Sequence, residues 1–304
     1  MYKKLFGFAS LLLLLAALPS VAFAAEGRFE RTLKVTGAPD VEVSTGSGNI
    51  TVRAGDSSSI HIVGHIRSFN WFGGDASDRV ARIEQHPPVV QVGNAIRIGH
   101  FDDPGLQRNI AISYEITLPA NSTVRCSSGS GSLNVDGVSA SLKARTGSGS
   151  VHISRSGGDI RAGTGSGDIS ITGASGRLHA STGSGSIEVI GSQLTNADVS
   201  TGSGSIRVDS IRGGLRAHTG SGSIRASGAV TSAWEASSGS GSISITLSPG
   251  PGFDVDARSS SGTIKVDREI TMQGEINRHH VRGKVGGGGP TLMLHTSSGD
   301  IRVQ

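Results

Sequence analysis

Residues 142–189 read LKARTGSGSVHISRSGGDIRAGTGSGDISITGASGRLHASTGSGSIEV, and the pattern in this segment predicts the fold of the chain. It contains one hexapeptide three times, starting at Thr146, Thr164 and Thr182, with 18 residues between successive starts. Each copy leads into an apolar–variable–apolar triplet, as in residues 151–153. A fixed period of this length is typical of a solenoid in which each repeat forms one coil.

The hexapeptide recurs along most of the chain. Complete copies begin at Thr45, Ser128, Thr146, Thr164, Thr182, Thr201, Thr219 and Ser238, and looser copies begin at Ser259 and Thr296. From Ser128 onward the start-to-start spacings are 18, 18, 18, 19, 18, 19, 21 and 37 residues, the last being close to two periods. A flexible Gly-Ser linker has no reason to keep Ile and Val in phase, so the copies favour ordered coils.

Apolar residues alternate with polar ones on both sides of each hexapeptide, as at Leu142 and Ala144 before it and Val151 and Ile153 after it. This period of two predicts two short strands per repeat, each with one buried face. We expect the glycines between the strands to supply positive φ at a sharp corner. A third apolar position predicts another corner of the coil, at Val138, Ala174, Leu194 and Ile211.

A single coil cannot fold alone. Ordering one period costs about 18 to 36 kcal/mol of backbone entropy, whereas burying about five aliphatic side chains returns about 10 kcal/mol. We therefore expect consecutive copies to stack and seal one another's cores. The predicted fold class is all-β: a parallel β-solenoid of about 18-residue coils, right-handed because crossover connections are, with an irregular N-terminal cap that contains one short helix.

Residues 1–24 are typical of an export signal, with Lys3 and Lys4 before an apolar stretch and small residues at its end. The apolar stretch is shorter than the roughly 20 residues of a spanning helix. No second apolar run follows, so we expect no transmembrane segment in the mature chain. The sequence thus predicts export to the periplasm, the cell surface or the extracellular space.

Residues 25–123 depart from the regular period and predict N-terminal strands with a capping insertion, continuous with a repeat region over 124–304. The insertion is expected to contain strands at Ile60–Ile66, Val89–Ile98 and Ile110–Leu118, and a helix over Asp75–Gln85 that Pro87 and Pro88 end. Most aromatic residues of the mature chain lie here: Phe69, Trp71, Phe72, Phe101 and Tyr114.

Composition limits the function classes. The chain has 46 Gly among 304 residues, and the net charge of +4 falls to +2 without Lys3 and Lys4. This small and scattered excess predicts no nucleic-acid partner. Cys126 is the only cysteine, so no intrachain disulfide can form, and it occupies the inward column of small residues, where a buried thiol is expected.

Three segments resemble the bacterial "putative adhesin" family of exported β-strand-repeat proteins. They are Phe29–Leu33 leading into the hexapeptide at Thr45, Tyr114–Ala120, and the Ser-Gly-Asp/Ser-Ile series that follows. The resemblance covers nearly all of the chain after the leader. It implies an exported β-solenoid of the cell envelope, and it supplies no catalytic residues.

The Gly-rich repeats do not match known ligand motifs. No copy continues to the third Gly of GxGxxG, and no Gly-Lys-Ser/Thr follows. Asp168 and Asp300 are isolated in their hexapeptides, unlike the repeated Asp of calcium-binding β-rolls. The pairs His61/His65 and His279/His280 lack neighbouring Cys or dense carboxylates. We therefore predict no cofactor, no metal and no catalytic residue.

One column of outward side chains is a candidate binding site. Three positions before each hexapeptide the chain carries Arg125, Lys143, Arg161, His179, Asp198, Arg216, Glu235 and Asp256. In a parallel stack these lie about 4.8 Å apart, and the first four, Arg125, Lys143, Arg161 and His179, are basic or titratable. They predict either a site for an anionic polymer or a solvated face with counterions.

The sequence predicts a non-enzymatic envelope or surface solenoid that acts as an adhesin, a scaffold or a binding module. Its partner is expected to be an anionic polysaccharide or another envelope protein. One alternative is a polysaccharide-active β-helix enzyme, which needs paired carboxylates. The acids Asp136, Asp159, Asp168, Asp198 and Asp209 fall at different phases of the repeat instead. Another alternative is a structural protein that self-associates through its exposed ends.

Overall fold

The structure is a computed structural model that describes residues 25–55, 58–69, 75–250, 252–272 and 277–304. Within these ranges it forms 27 strands, one α-helix and one short 3₁₀ helix. The export signal predicted at residues 1–24 lies outside the described residues, as do the aromatic residues Trp71 and Phe72 of the capping insertion.

Seven strands and the helix precede the regular repeats. They are β1 (Glu26–Lys34), β2 (Asp40–Thr45), β3 (Ile50–Gly55), β4 (Ser59–Ser68), α1 (Asp75–Gln85), β5 (Val89–Val92), β6 (Ala95–Ile98), the 3₁₀ helix Pro104–Gln107 and β7 (Ile110–Pro119). The repeats supply β8 (Thr123–Ser128), β9 (Leu133–Asp136), β10 (Leu142–Thr146), β11 (Val151–Ser154), β12 (Asp159–Thr164), β13 (Ile169–Thr172), β14 (Ser175–Thr182), β15 (Ile187–Ile190), β16 (Gln193–Thr201), β17 (Ile206–Ile211), β18 (Gly214–Thr219), β19 (Ile224–Gly228), β20 (Trp234–Ser238) and β21 (Ile243–Leu247). The remaining strands are β22 (Phe253–Ser259), β23 (Ile264–Val266), β24 (Ile270–Met272), β25 (His280–Val285), β26 (Thr291–Thr296) and β27 (Ile301–Val303).

Two sheets run the length of the described stack. The 13-stranded sheet has the order β1-β4-β7-β3-β9-β11-β13-β15-β17-β19-β21-β27-β23, and the 14-stranded sheet has the order β24-β25-β22-β26-β20-β18-β16-β14-β12-β10-β8-β2-β6-β5. In the regular part, even-numbered strands form one sheet and odd-numbered strands the other. Each repeat therefore places one strand in each sheet.

The register advances by one repeat from each strand to its parallel neighbour. Leu142 lies opposite Ile160 in the 14-stranded sheet, and Val151 lies opposite Ile169 in the 13-stranded sheet. The parallel β-solenoid of about 18-residue coils is thus confirmed. The right-handed sense of the coil stays a prediction.

The core is a continuous column of aliphatic side chains between the two sheets. The inward residues of both strands are buried, as are those predicted at the third corner, Val138, Ala174, Leu194 and Ile211. At about 1.5–3 kcal/mol for each fully buried aliphatic side chain, these positions supply the driving force for stacking. Cys126 is buried among them, between Val43 and Ala144 of the adjacent strands.

The expected role of the hexapeptide glycines is wrong. Apart from Gly48, with φ 144, no glycine of a complete hexapeptide has positive φ in the described residues. The glycines are needed because the stacked corners approach each other closely. A Cβ atom on Gly183 would lie 2.5 Å from the carbonyl oxygen of Gly165, and one on Gly185 would overlap the carbonyl oxygen of Gly167.

The first residue of each hexapeptide has a role that the sequence analysis missed. The Thr182 hydroxyl donates to the carbonyl oxygen of Gly167 in the preceding coil at 2.8 Å and accepts from the amide of Gly185 at 3.2 Å. Thr164 makes the same two contacts one coil earlier, and Ser238 makes them three coils later. These buried hydroxyls form a hydrogen-bond ladder along the corner of the stack, which explains why only Thr or Ser occupies this position.

The N-terminal part follows the prediction in outline. The helix α1 spans Asp75–Gln85 as predicted, and its residues Val80 and Ile83 are buried. The strand predicted over Val89–Ile98 is instead the hairpin β5–β6, because Gly93 takes φ 61 in a turn between them. The antiparallel strands β1 and β4 lie at the edge of the 13-stranded sheet.

The stacking order departs from the chain order in two places. The coil β2–β3 lies between β6–β7 and β8–β9, and the coil β26–β27 lies between β20–β21 and β22–β23. The consecutive hexapeptide copies at Thr45 and Ser128 still stack on each other, so among the described copies the expectation that consecutive copies stack is wrong only for the copy at Thr296, which lies between those at Ser238 and Ser259. Strands of the same repeat pattern present the same bonding edges and apolar faces, so a coil can pair with a neighbour that is distant in sequence.

Candidate functional site

The four predicted site residues form one column on the outer face of the 14-stranded sheet. Lys143 of β10 lies opposite Arg125 of β8 and Arg161 of β12, and Arg161 lies opposite His179 of β14. Their side chains point outward because the residues on either side of each, such as Leu142 and Ala144, point into the core. Adjacent members are therefore about 4.8 Å apart along the stack.

Three of the four side chains have an acidic partner. Arg125 contacts Asp40 at 2.7 Å, Arg161 contacts Asp159 at 3.1 Å, and the Nδ1 atom of His179 lies 3.3 Å from Asp198. Lys143 makes no ion pair with any described residue. The repulsion expected along the column is thus reduced by acids on neighbouring strands, and Lys143 remains as its uncompensated charge.

Two further cations beside the column were not singled out in the sequence. Arg145 lies two residues after Lys143 on the same face of β10, opposite Ser127 and Gly163. Arg177 of β14 lies opposite Asp159, whose carboxylate contacts Arg161 instead. Neither Arg145 nor Arg177 has an ion pair within the described ranges, and both are exposed. We call Lys143, Arg145 and Arg177 the cationic patch.

A sequence signal for the patch exists in the repeat itself. The outward position directly before the hexapeptide holds Ser, Gly or His in the other regular copies, and Arg only at Arg145. The sequence does not show which cations of this face lack an ion pair. The strand register places an arginine beside several carboxylates, but it does not determine which carboxylate the arginine contacts.

The charge pattern changes along the rest of the column. Asp198 follows His179, and Arg216 contacts Glu235 at 3.2 Å. Asp256 does not follow Glu235 as the sequence predicted, because the inserted strand β26 places Met293 between them. Asp256 contacts Arg258 at 3.1 Å and His280 at 3.2 Å. Among the cations that the sequence placed in this column, Lys143 is therefore the one without an ion pair to a described residue.

The opposite face, on the 13-stranded sheet, carries its own charged column over Glu188, Arg207 and Arg225. Arg207 contacts Asp209 at 2.7 Å and Glu188 at 3.9 Å, and the hydrogen bond to Asp209 raises the pKa of this guanidinium above its usual value. Arg225 is exposed and has no ion pair with a described residue. Within the column of Glu188, Arg207 and Arg225 it is the one cation without such a pair, in contrast to the three cations of the cationic patch.

The histidine pair His61/His65 and Cys126, which the sequence analysis also considered, do not belong to the cationic patch. His61 is 3.6 Å from Glu30, whereas His65 is 3.5 Å from Glu115. The described part of the chain contains no group of three or more His, Cys, Asp or Glu side chains placed to hold a metal ion. Burial raises the pKa of the Cys126 thiol to about 12, so this cysteine is protonated at neutral pH.

A cavity of about 260 Å³ lies between the hexapeptide at Thr45 and the first half of β7. Tyr114 lines it, and burial raises the pKa of its phenol above the usual value. Its hydroxyl is buried without a hydrogen-bond partner among the described residues, and it contributes almost no accessible surface. The cavity therefore does not present this hydroxyl to an incoming ligand.

No helix among the described residues is both long enough and apolar enough to cross a membrane. A comparison with curated proteins found no match for the chain.

The chain is similar to several solved structures at low sequence identity, including the following three. An adhesin, described as putative, from Bacteroides fragilis is 12% identical, with 91% of this chain and 97% of that chain covered and a TM-score of 0.35. A putative adhesin from Parabacteroides merdae is 11% identical, with coverage of 91% and 96% and a TM-score of 0.40. A putative lipid binding protein from Parabacteroides distasonis is 15% identical, with coverage of 91% and 97% and a TM-score of 0.42.

A family sequence model that matches most of the chain establishes its family. The sequence model described as Toastrack DUF4097 matches residues 41–304, which begin within β2 and include every regular repeat. This match confirms the resemblance to adhesin-like β-repeat proteins, and the chain belongs to the Toastrack DUF4097 family.

Proposed function

We propose that this protein is a non-enzymatic, exported envelope module that binds an anionic polysaccharide along the outer face of its 14-stranded sheet. The observation that carries the proposal is the cationic patch, three exposed or half-exposed cations without an ion pair among the described residues. A long polymer can contact all three at once, since they lie on one face within three neighbouring strands.

Rigidity supports a binding role for this face. The backbone of β10 is hydrogen-bonded to β8 and β12, and the inward side chains beneath it are buried. A face that is already ordered loses little conformational entropy on binding. Weak contacts with successive sugar units therefore add up along the polymer.

The contacts of the acidic side chains support a non-enzymatic role. Asp159 contacts Arg161, Asp198 contacts His179, and Asp209 contacts Arg207. Asp136 accepts from the Ser154 hydroxyl at 2.6 Å and pairs with Arg155, while Asp168 accepts from the amide of Ser186 at 2.8 Å. A glycosidase instead needs two carboxyl groups that face each other across the scissile bond of the sugar.

The test is binding of the whole mature chain to immobilised polygalacturonate, with neutral dextran as the comparison polymer. We expect binding to polygalacturonate alone, weakening as the salt concentration rises because exposed charges are screened. The double variant Lys143→Glu/Arg145→Glu is expected to bind about tenfold more weakly, which corresponds to about 1.4 kcal/mol. Arg161→Glu is expected to have a smaller effect, since Arg161 is already paired with Asp159.

The matched control is Arg225→Glu, which reverses an exposed, unpaired arginine on the opposite sheet. Binding that is equal in the double variant and the wild type, or that is lost equally in the control, would exclude this face as the binding site. Release of reducing ends from polygalacturonate by the purified protein would overturn the non-enzymatic part of the proposal.

A further inference from the structure

The coil β26–β27 is held in place by strand pairing rather than by chain order. It pairs with β20–β21 on one side and with β22–β23 on the other. The two flanking coils follow each other in sequence, yet their strands pair with the inserted coil and not with each other. The flanking coils therefore form a slot that accepts a strand–corner–strand segment.

The contacts on both walls of the slot are those of any regular coil. On one wall the Thr296 hydroxyl donates to the carbonyl of Gly241 at 2.9 Å, and the amide of Ile243 donates to the carbonyl of Asp300 at 2.9 Å. On the other wall the Ser259 hydroxyl donates to the carbonyl of Gly299 at 2.8 Å.

The core of the slot is equally complete. Leu292, Leu294, Ile301 and Val303 of the inserted coil are all buried. The slot thus recognises the general pattern of the repeat, namely alternating aliphatic residues around a Thr-x-x-Gly corner.

The segment that leads into the slot can change its path. Residues 286–289 are four consecutive glycines with φ values of 58, 88, 86 and 156. Glycine adopts such angles and extended ones at similar cost, so this run can redirect the chain that follows it. The coils from β10–β11 to β18–β19 differ, because each of them is joined in sequence to the two coils that it contacts.

We propose that the slot between β20–β21 and β22–β23 also accepts the β26–β27 segment of a second copy of this chain, which joins two molecules by reciprocal exchange. The exchanged segment makes in the partner the same hydrogen bonds and buries the same four aliphatic side chains. Exchange of an identical element preserves these contacts at little cost, and the glycine run supplies the hinge. This inference does not depend on the polysaccharide proposal.

Cysteine trapping across the slot tests the exchange. Glu235 of β20 lies opposite Met293 of β26, and both side chains are exposed on the sheet face. Neighbouring strands are about 4.8 Å apart, which lies in the range that a disulfide spans. The background carries Cys126→Ala, since alanine fills the adjacent inward position at Ala144.

The double variant Glu235→Cys/Met293→Cys is the positive control. Refolded alone at high dilution, it is expected to form an intramolecular disulfide, which proves the register of β20 and β26. The test mixes Glu235→Cys with Met293→Cys, refolds the two proteins together and oxidises them. A heterodimer that is linked by a disulfide and has twice the monomer mass is expected on a non-reducing gel.

The matched control mixes Glu235→Cys with Arg216→Cys. These residues are opposite each other in β20 and β18, which belong to two interior coils that follow each other in sequence. We expect at least fivefold less disulfide-linked heterodimer in this mixture. A yield equal to that of the test mixture would overturn the proposal, because it would reflect random collision or general misassembly.

A second variant tests the hinge. Deletion of Gly287 and Gly288 shortens the path into the molecule's own slot and is expected to raise the heterodimer yield. An unchanged yield would exclude residues 286–289 as the hinge, and the absence of any heterodimer above the control in both backgrounds would exclude exchange altogether.

Discussion

At the scale of single residues, the hexapeptide allows the corners of adjacent coils to stack closely. Its first residue supplies a hydroxyl that bonds both the preceding coil and its own corner, as Thr182 does with Gly167 and Gly185. Its glycines leave room for the backbone of the corner in the preceding coil. A buried hydroxyl with both contacts made contributes about 1 kcal/mol for each hydrogen bond, so the ladder stabilises the stack once in every coil.

The glycine requirement is expected to vanish where the Cβ position does not face the corner of a preceding coil. Gly183 and Gly46 occupy the same hexapeptide position, but a Cβ atom on Gly183 would meet the Gly165 carbonyl oxygen at 2.5 Å, whereas one on Gly46 would meet nothing within 4 Å. We expect Gly183→Ala to lower the free energy of unfolding by about 1–3 kcal/mol through overpacking. Gly46→Ala is expected to leave it unchanged or slightly raised.

Chemical denaturation of the two variants measures this difference directly. Equal losses in Gly183→Ala and Gly46→Ala would mean that the backbone angles of the corner, and not the close approach of stacked corners, explain the glycines.

At the scale of elements, two aspartates attach the inserted coil to its outer neighbour. Asp300 accepts from the amide and the hydroxyl of Thr263, both at 2.8 Å, and these bonds hold the pKa of its carboxyl below the usual value. The hydrogen bond from Lys265, followed by that from Arg302, lowers the pKa of Asp267 in the same way. Both carboxylates therefore join β26–β27 to the coil β22–β23.

Acid is expected to loosen this end of the stack first. A carboxyl whose pKa is lowered by folding stabilises the fold above its unfolded pKa of about 3.9. That contribution is lost as the pH falls through the lower pKa of the folded state. Trp234 of β20 is buried opposite Leu292 of the inserted coil, so its fluorescence reports the loosening.

The measurement is an acid titration of Trp234 fluorescence in a Trp71→Phe background, which leaves one tryptophan. Asp300→Asn keeps the acceptor oxygen for Thr263 but cannot titrate, and we expect it to shift the transition to lower pH. Asp168→Asn, at the same hexapeptide position of an interior coil, controls for the substitution itself. An identical midpoint in Asp300→Asn and the wild type would exclude Asp300 as a source of the acid sensitivity.

At the scale of the whole molecule, the repeat made the solenoid predictable, because the phase of Ile and Val specifies two strands per period. The helix over Asp75–Gln85 was predictable as well, since Pro87 and Pro88 end it. The insertion of β26–β27 between β20–β21 and β22–β23 could not be predicted, because the hexapeptide at Thr296 fits any position in the stack equally well. The unpaired state of Lys143 was also hidden, since it depends on where the Asp40 and Asp159 side chains turn.

Because each coil is stabilised by its neighbouring coils, we expect a gradient of stability along the molecule. An interior coil has a partner on both sides, whereas β23 and β24 lie at edges of their sheets. Amide hydrogen exchange is therefore expected to be slowest in the interior strands and to accelerate toward both ends of the stack.

The variant Ile187→Ala tests how far such coupling reaches. Ile187 is buried and lies between Ile169 and Ile206 of the adjacent coils. Its truncation is expected to cost about 2–5 kcal/mol and to speed exchange in β13 and β17, its two spatial neighbours, more than in β8 or β26. Glu188→Ala, at the next and outward position of β15, is the matched control and is expected to leave exchange nearly unchanged. Uniform acceleration across all strands would instead mean that the stack opens as a single unit, because the coils would then be too strongly coupled to respond separately.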